Sequence, residues 1–174
     1  MKAEFLALNT VNAEQLERWE SWLSAEKRQR MDRLHPQRRL QSLCGEGLAR
    51  QMLAELLGIA PQDLTFTVNE NGKPLVEGAF FSISHSGELV GCAVSDRPVG
   101  LDIEEIRDVP ERLGRVLDGQ WQTPEAFFRL WTRREAAIKC RGDRLSAWKS
   151  CGEEGLSFTS IAVPQGYVAT LCEA

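Results

Sequence analysis

The 174-residue sequence predicts an α+β protein built from two related halves, 1–98 and 99–174. Two observations carry that expectation. Apolar alternation and helical periodicity follow one another as strand, helices and strands, and then, more briefly, as helix and strands. The composition, 43% hydrophobic and 26% charged, is that of a chain able to bury a real core.

The elements follow in order. Residues 2–9 (KAEFLALN) alternate as a first strand, and 12–23 and 25–34 carry helical patterns, with Ser24 placed to cap the second. Pro36 opens a longer helix whose apolar stripe is Leu40, Leu43, Leu48, Met52 and Leu56, and Gly58 ends it. A strand over 64–68 leads into the turn Asn69-Glu-Asn-Gly-Lys-Pro74. Strands at 80–84 and 89–95 precede the turn Ser95-Asp-Arg-Pro98 and the strand Val99-Gly-Leu-Asp-Ile-Glu-Glu-Ile106. A short helix spans 110–118. Thr123 then caps a helix with Pro124 at its first position, running to about Cys140. Strands at 156–163 and 167–172 close the chain.

No apolar run approaches a membrane span, and the N-terminus lacks a signal-peptide pattern, so no membrane association is expected. Five scattered cysteines without a CxxC pair argue against a disulfide framework or zinc site and for a reducing, cytoplasmic setting. With only His35 and His85, a multi-histidine metal site is excluded. The net charge of −4 is unevenly spread. Seven Lys/Arg against three acids make 24–50 positive, which suggests an anionic ligand or acidic partner, or else a solvated helix face. No nucleic-acid motif accompanies it, and nucleic acid is not an expected partner.

The strand VGLDIEEI turns Val99, Leu101 and Ile103 to one face and Asp102 and Glu104 to the other. Two carboxylates about 7 Å apart on one strand face repel each other. A solvated face at a sheet edge is the simpler reading of this stretch alone; a hard divalent cation is the sharper one. Downstream, Trp131, Glu135 and Lys139 recur every fourth residue and share one helix face. If that helix covers the strand, Glu135 completes an Asp–Glu–Glu oxygen set. Lys139 then sits one turn along as a phosphate-neutralising cation, an arrangement suited to Mg²⁺-assisted chemistry at a phosphate.

Five blocks in order resemble the signature of the 4′-phosphopantetheinyl transferases of the Sfp-type group. They are Leu23-Ser-Ala-Glu-Lys-Arg-Gln-Arg30, Gly72-Lys-Pro74, Phe81-Ser-Ile-Ser-His-Ser86, Val99-Gly-Leu-Asp-Ile-Glu104 and Trp131-Thr-Arg-Arg-Glu-Ala-Ala-Ile-Lys139. The resemblance implies two pseudo-symmetric halves with the site in the cleft between them. It implies Mg²⁺-dependent transfer of the phosphopantetheine arm of coenzyme A to a serine of an apo acyl or peptidyl carrier protein, releasing adenosine 3′,5′-bisphosphate. Asp102, Glu104 and Glu135 would hold Mg²⁺, or Mn²⁺, with the pyrophosphate, and Glu135 and Lys139 would serve catalysis. Lys27, Arg30, Ser42, Lys73, Ser84 and His85 would bind coenzyme A. A monomer is implied. The alternative is a homologue that binds coenzyme A or a carrier protein without transfer.

Two departures from the family pattern stand out. Arg134 replaces the lysine usual before the motif glutamate, and Arg and Lys are not interchangeable where a compact ammonium is needed. The segment between Glu104 and Trp131 is short and lacks the family's phenylalanine–glutamate motif; Glu111 and Asp118 are its only candidate stand-ins.

Overall fold

The computed structural model describes residues 1–117 and 121–174. Its elements are β1 (Lys2–Ala7), α1 (Ala13–Ser21), α2 (Ala25–Met31), α3 (Pro36–Leu57), β2 (Thr67–Val68), β3 (Pro74–Leu75) and β4 (Phe80–Ser86). They continue as β5 (Leu89–Ser95), β6 (Val99–Glu105), α4 (Glu111–Gly114), α5 (Pro124–Arg141), β7 (Ser157–Ile161) and β8 (Tyr167–Glu173). The α+β class is as expected. Helix ends follow the local chemistry of the sequence. Ser24 and Thr123 accept hydrogen bonds from the Lys27 and Ala126 amides, and Pro36 and Pro124 occupy first turns. Gly58 and Gly142 close α3 and α5 in the left-handed conformation that a side chain would disfavour.

Two antiparallel sheets, ordered β1-β5-β4 and β6-β8-β7, form the body of the protein. The long helix α3 packs on β4 and β5, and α5 packs on β6 and β8. Leu48, Met52 and Leu53 of α3 meet Phe81, Cys92 and Val94 of the first sheet. Leu89 and Ala93 of that sheet share a core with Leu101, Ile103 and Leu171 of the second. Burying each such side chain contributes about 1.5–3 kcal/mol, so the two sheets are held by one continuous apolar contact.

The sheets join through side chains rather than a backbone ladder. β4 lies alongside β6 in the same direction, and alternate serines of β4 replace the missing partner carbonyls. Ser82, Ser84 and Ser86 hydroxyls accept the amide hydrogens of Leu101, Ile103 and Glu105 at 2.9, 3.1 and 3.0 Å. An edge strand's unpaired amides are thereby satisfied. Gly100 lets α5 press directly onto β6. A Cβ there would lie 2.0 Å from the Ala136 carbonyl oxygen and 2.5 Å from the Cys140 nitrogen.

Some expectations are corrected. Leu56 is 49% exposed, and Leu53 takes the core position instead, because the stripe rotates as α3 crosses the sheet. The strand expected at 64–68 is only Thr67–Val68; Leu64 is drawn into the α3 core instead. The Asp102 face of β6 is not solvated. β6 is an edge strand by backbone pairing, but β4 and α5 cover it, and Asp102 is 3% exposed. Among the described residues no helix is long and apolar enough to cross a membrane, and the five cysteines are free and buried.

Candidate active site

A cleft of about 1280 Å³ opens where α2, α3, the β2–β3 turn, β4, β6 and α5 converge. That exceeds the roughly 300–1,000 Å³ of ordinary small-molecule sites, so it suits a large ligand. Lys27, Arg30, Ser42, Lys73, Ser84, His85, Asp102, Glu104, Glu135 and Lys139 all line it.

The inner end is acidic. Asp102 Oδ1 accepts hydrogen bonds from Lys139 Nζ at 2.7 Å and Ser84 Oγ at 3.0 Å, and Lys139 Nζ also donates to Ser84 Oγ at 3.0 Å. Asp102 Oδ2 is buried with no partner. Such an orphaned oxygen costs free energy unless a ligand satisfies it. Glu104 Oε2 accepts from Ser86 Oγ at 2.9 Å and from Arg107 Nη1 at 2.9 Å, and the Arg107 guanidinium rests over the Phe128 ring at 4.8 Å.

Glu135 reaches the same point from α5. Burial, with repulsion from Asp102 and Glu104, pushes its pKa up to about 7 against the pull of Lys139. Asp102 is also raised, by burial first, with Lys139 opposing. As the side chains stand, the Lys139 ammonium takes the place of a cation at Asp102. Among the described residues no three acidic, histidine or cysteine side chains converge closely enough to ligate one ion. The donor set nevertheless fits a hard dication. Asp102 and Glu104 raise the proton affinity of Glu135, and Glu104 raises that of Asp102, which lines the cleft and keeps one oxygen buried and unpartnered.

The outer end is basic. Lys27 Nζ pairs with Glu46 Oε2 at 2.8 Å, and Glu46 is itself locked by Arg50, which donates to the Pro61 and Leu64 carbonyls. Arg30 pairs with Glu26 on the exposed face of α2. Ser42 enters from α3 and His85 from β4, where burial, then Arg38 and Lys139, lower the histidine's pKa. Lys73 has a structural task besides lining the cleft. Its ammonium donates to the Lys139 carbonyl at 2.5 Å and the Val99 carbonyl at 3.1 Å. Asn69 and Asn71 cap the same helix end through the Gly142 carbonyl at 2.9 and 3.0 Å.

Arg134 lies outside the cleft lining and donates to the Trp148 carbonyl at 2.8 Å, so the lysine-to-arginine change does not touch the site. Trp148 in turn packs on Trp131 with ring centroids 4.4 Å apart. Glu111 stands on α4 with an 82% exposed side chain, paired with Arg115, and supplies nothing to the cleft; Asp118 lies outside the described residues. Ser86, Arg107 and Glu46 were missed from sequence. Only the alternation Ser82-Ile-Ser84-His-Ser86 hinted at a row of hydroxyls on one strand face.

Residues 10–97 match the family described as "4′-phosphopantetheinyl transferase, N-terminal". The chain is 33% identical over 151 residues to a 4′-phosphopantetheinyl transferase of Bacillus subtilis, across 78% of this chain and 67% of that protein. The chain belongs to the 4′-phosphopantetheinyl transferase family.

It is 39% identical over 113 residues to the 4′-phosphopantetheinyl transferase Gsp of Aneurinibacillus migulanus, across 58% of this chain and 48% of Gsp. It is 35% identical over 157 residues to psf-1 of Bacillus pumilus, across 80% and 66%. The chain thus matches about half to two-thirds of the length of these transferases. The basic end of the cleft comes from α2 and α3, and the acidic end from β6 and α5.

Proposed function

We propose that the protein transfers the 4′-phosphopantetheine group of coenzyme A to a serine of an apo acyl or peptidyl carrier protein, with Mg²⁺ or Mn²⁺, releasing adenosine 3′,5′-bisphosphate. The observation that carries this reading is the charge order of the cleft. A basic outer end leads to a buried carboxylate cluster carrying one lysine, as a polyphosphate ligand ending at a cation requires.

Lys27, Arg30, Ser42 and His85 supply donors for the nucleotide phosphates, and Lys73 adds a cation where β3 meets α5. Lys27 exchanges Glu46 for phosphate as the ligand enters. Asp102, Glu104 and Glu135 are the residues that would hold the cation. When bound, it neutralises charge developing on the pyrophosphate and aligns it for attack. Lys139, released from Asp102, turns its ammonium to the leaving phosphate and stabilises the charge that collects there. The carrier serine Oγ forms a bond to the β-phosphorus as that phosphorus parts from the oxygen bridging to the α-phosphate. The serine proton passes to a cluster carboxylate or to water held by it. One chain supplies every one of these groups, so a monomer suffices.

Intact mass spectrometry of an apo acyl carrier protein incubated with this protein, coenzyme A and Mg²⁺ tests the reading. The expected result is a metal-dependent gain of about 340 Da, the mass of the phosphopantetheine group, lost with Glu135→Gln. Absence of the gain across several carriers, with coenzyme A still bound, would identify a homologue that binds without transfer.

A further inference from the structure

We infer that Ser86 is a positioning residue for Glu104, orienting that carboxylate so that its second oxygen serves a divalent cation. The inference rests on the proposed metal-binding role of Glu104. Ser86 does not line the cleft; it acts from β4 across the junction between the two sheets.

The serine row on β4 performs two tasks that separate by position. All three hydroxyls accept a β6 amide hydrogen, which joins the sheets. A hydroxyl has one hydrogen left to donate. Ser84 gives its own to Asp102 Oδ1 at 3.0 Å, and Ser86 gives its own to Glu104 Oε2 at 2.9 Å. Each serine therefore holds the carboxylate one residue before the amide it accepts. Ser82 stands opposite Leu101 and has no carboxylate to hold.

Glu104 has a second anchor in Arg107, whose Nη1 reaches the same Oε2 at 2.9 Å. Both anchors converge on one oxygen and leave Oε1 outside the clamp. Ligating carboxylates are characteristically held this way through the oxygen or lone pairs that the metal does not use, and losing such a partner weakens metal binding by about 10–100-fold. A glutamate fixed at only one point would sample several rotamers before ligating, since its chain is long. Ser86 is half-buried and comes from the opposite half of the chain. It thus makes the metal end of the cleft depend on the seating of β4 against β6.

Ser82→Ala and Ser86→Ala each remove one hydroxyl-to-amide bond, but only Ser86→Ala also frees a carboxylate. The experiment follows loss of the free Mn²⁺ electron paramagnetic resonance signal on titration into the protein with coenzyme A, alongside thermal melts. Expected are a roughly tenfold weaker Mn²⁺ affinity for Ser86→Ala, near wild-type affinity for Ser82→Ala and rescue by Ser86→Thr. Arg107→Gln, which removes the other anchor, moves affinity in the same direction and serves should Ser86→Ala not fold. Equal Mn²⁺ affinity in wild type, Ser86→Ala and Arg107→Gln would overturn the inference while leaving the metal site intact. A wild-type protein that takes up no Mn²⁺ with coenzyme A would overturn the metal reading itself, and this inference with it.

Discussion

Lys139 Nζ lies 2.7 Å from Asp102 Oδ1, fixing an ammonium from α5 to a carboxylate of β6 that is almost wholly buried. This pair closes the floor of the cleft, and Gly100 allows it by bringing the helix against the strand. The ammonium is thereby held within reach of both the carboxylate cluster and any phosphate laid over it.

Removing one partner should therefore cost more than removing both. Lys139→Ala leaves the Asp102 carboxylate buried and unpaired, and is expected to destabilise the protein by roughly 2–4 kcal/mol. Adding Asp102→Asn should recover much of that loss. Thermal melts of the single and double variants check it; additive losses would show that the pair is not coupled.

Glu135 should make metal-free stability depend on pH. Its folded pKa is raised from 4.5 to about 7, so the folded state holds a proton that the unfolded chain releases. The stabilisation is full below about pH 4.5 and is lost as pH rises through about 7. Relative to wild type, Glu135→Gln is expected to gain stability between pH 5 and 8, by up to about 3 kcal/mol. Urea unfolding at several pH values in chelator measures it, and saturating Mg²⁺ should abolish the difference.

Gly100→Ala should be among the most disruptive small substitutions. The added methyl would meet backbone atoms of α5, which cannot rotate away. A loss of about 3 kcal/mol or more is expected, with coenzyme A binding weakened because Glu135 and Lys139 ride on the displaced helix. Wild-type stability in this variant would mean that α5 does not press on β6 as described.

The two cleft lysines should part company. Lys27 is 45% exposed, and Lys27→Ala should weaken coenzyme A binding about tenfold with little change in melting temperature. Lys73→Ala also removes a donor from the Val99 and Lys139 carbonyls, the latter keeping only the Gly142 amide, and should cost roughly 1.5–3 kcal/mol of stability besides. Calorimetric titration with coenzyme A, paired with melts, separates the two patterns.

Much of this was legible in the sequence, and the exceptions share a cause. Caps at Ser24 and Thr123, prolines at 36 and 124 and the alternation of β4 to β6 are local signals, and the elements they mark are present. Asp102 and Glu104 fall on one strand face, as their spacing requires. That α5 covers this face was legible only as a condition, because Lys139 lies 37 residues beyond Asp102; the serine row that closes the strand's open edge, 18 residues away, was not read at all. The double duty of Lys73 was hidden for the same reason: its acceptors are backbone carbonyls 26 and 66 residues on, which leave no trace in side-chain patterns. Glu46 counts in the sequence only as one of three acids in the basic segment, and the structure makes it the buried partner of Lys27 and Arg50.

The central claim is that both halves build one site for coenzyme A and a divalent cation. The most direct measurement is calorimetric titration of coenzyme A with and without Mg²⁺, on wild type and Glu135→Gln. Mg²⁺ is predicted to tighten binding about tenfold or more in wild type, and to have little effect in the variant. Coenzyme A affinity indifferent to Mg²⁺ in both proteins would contradict the account.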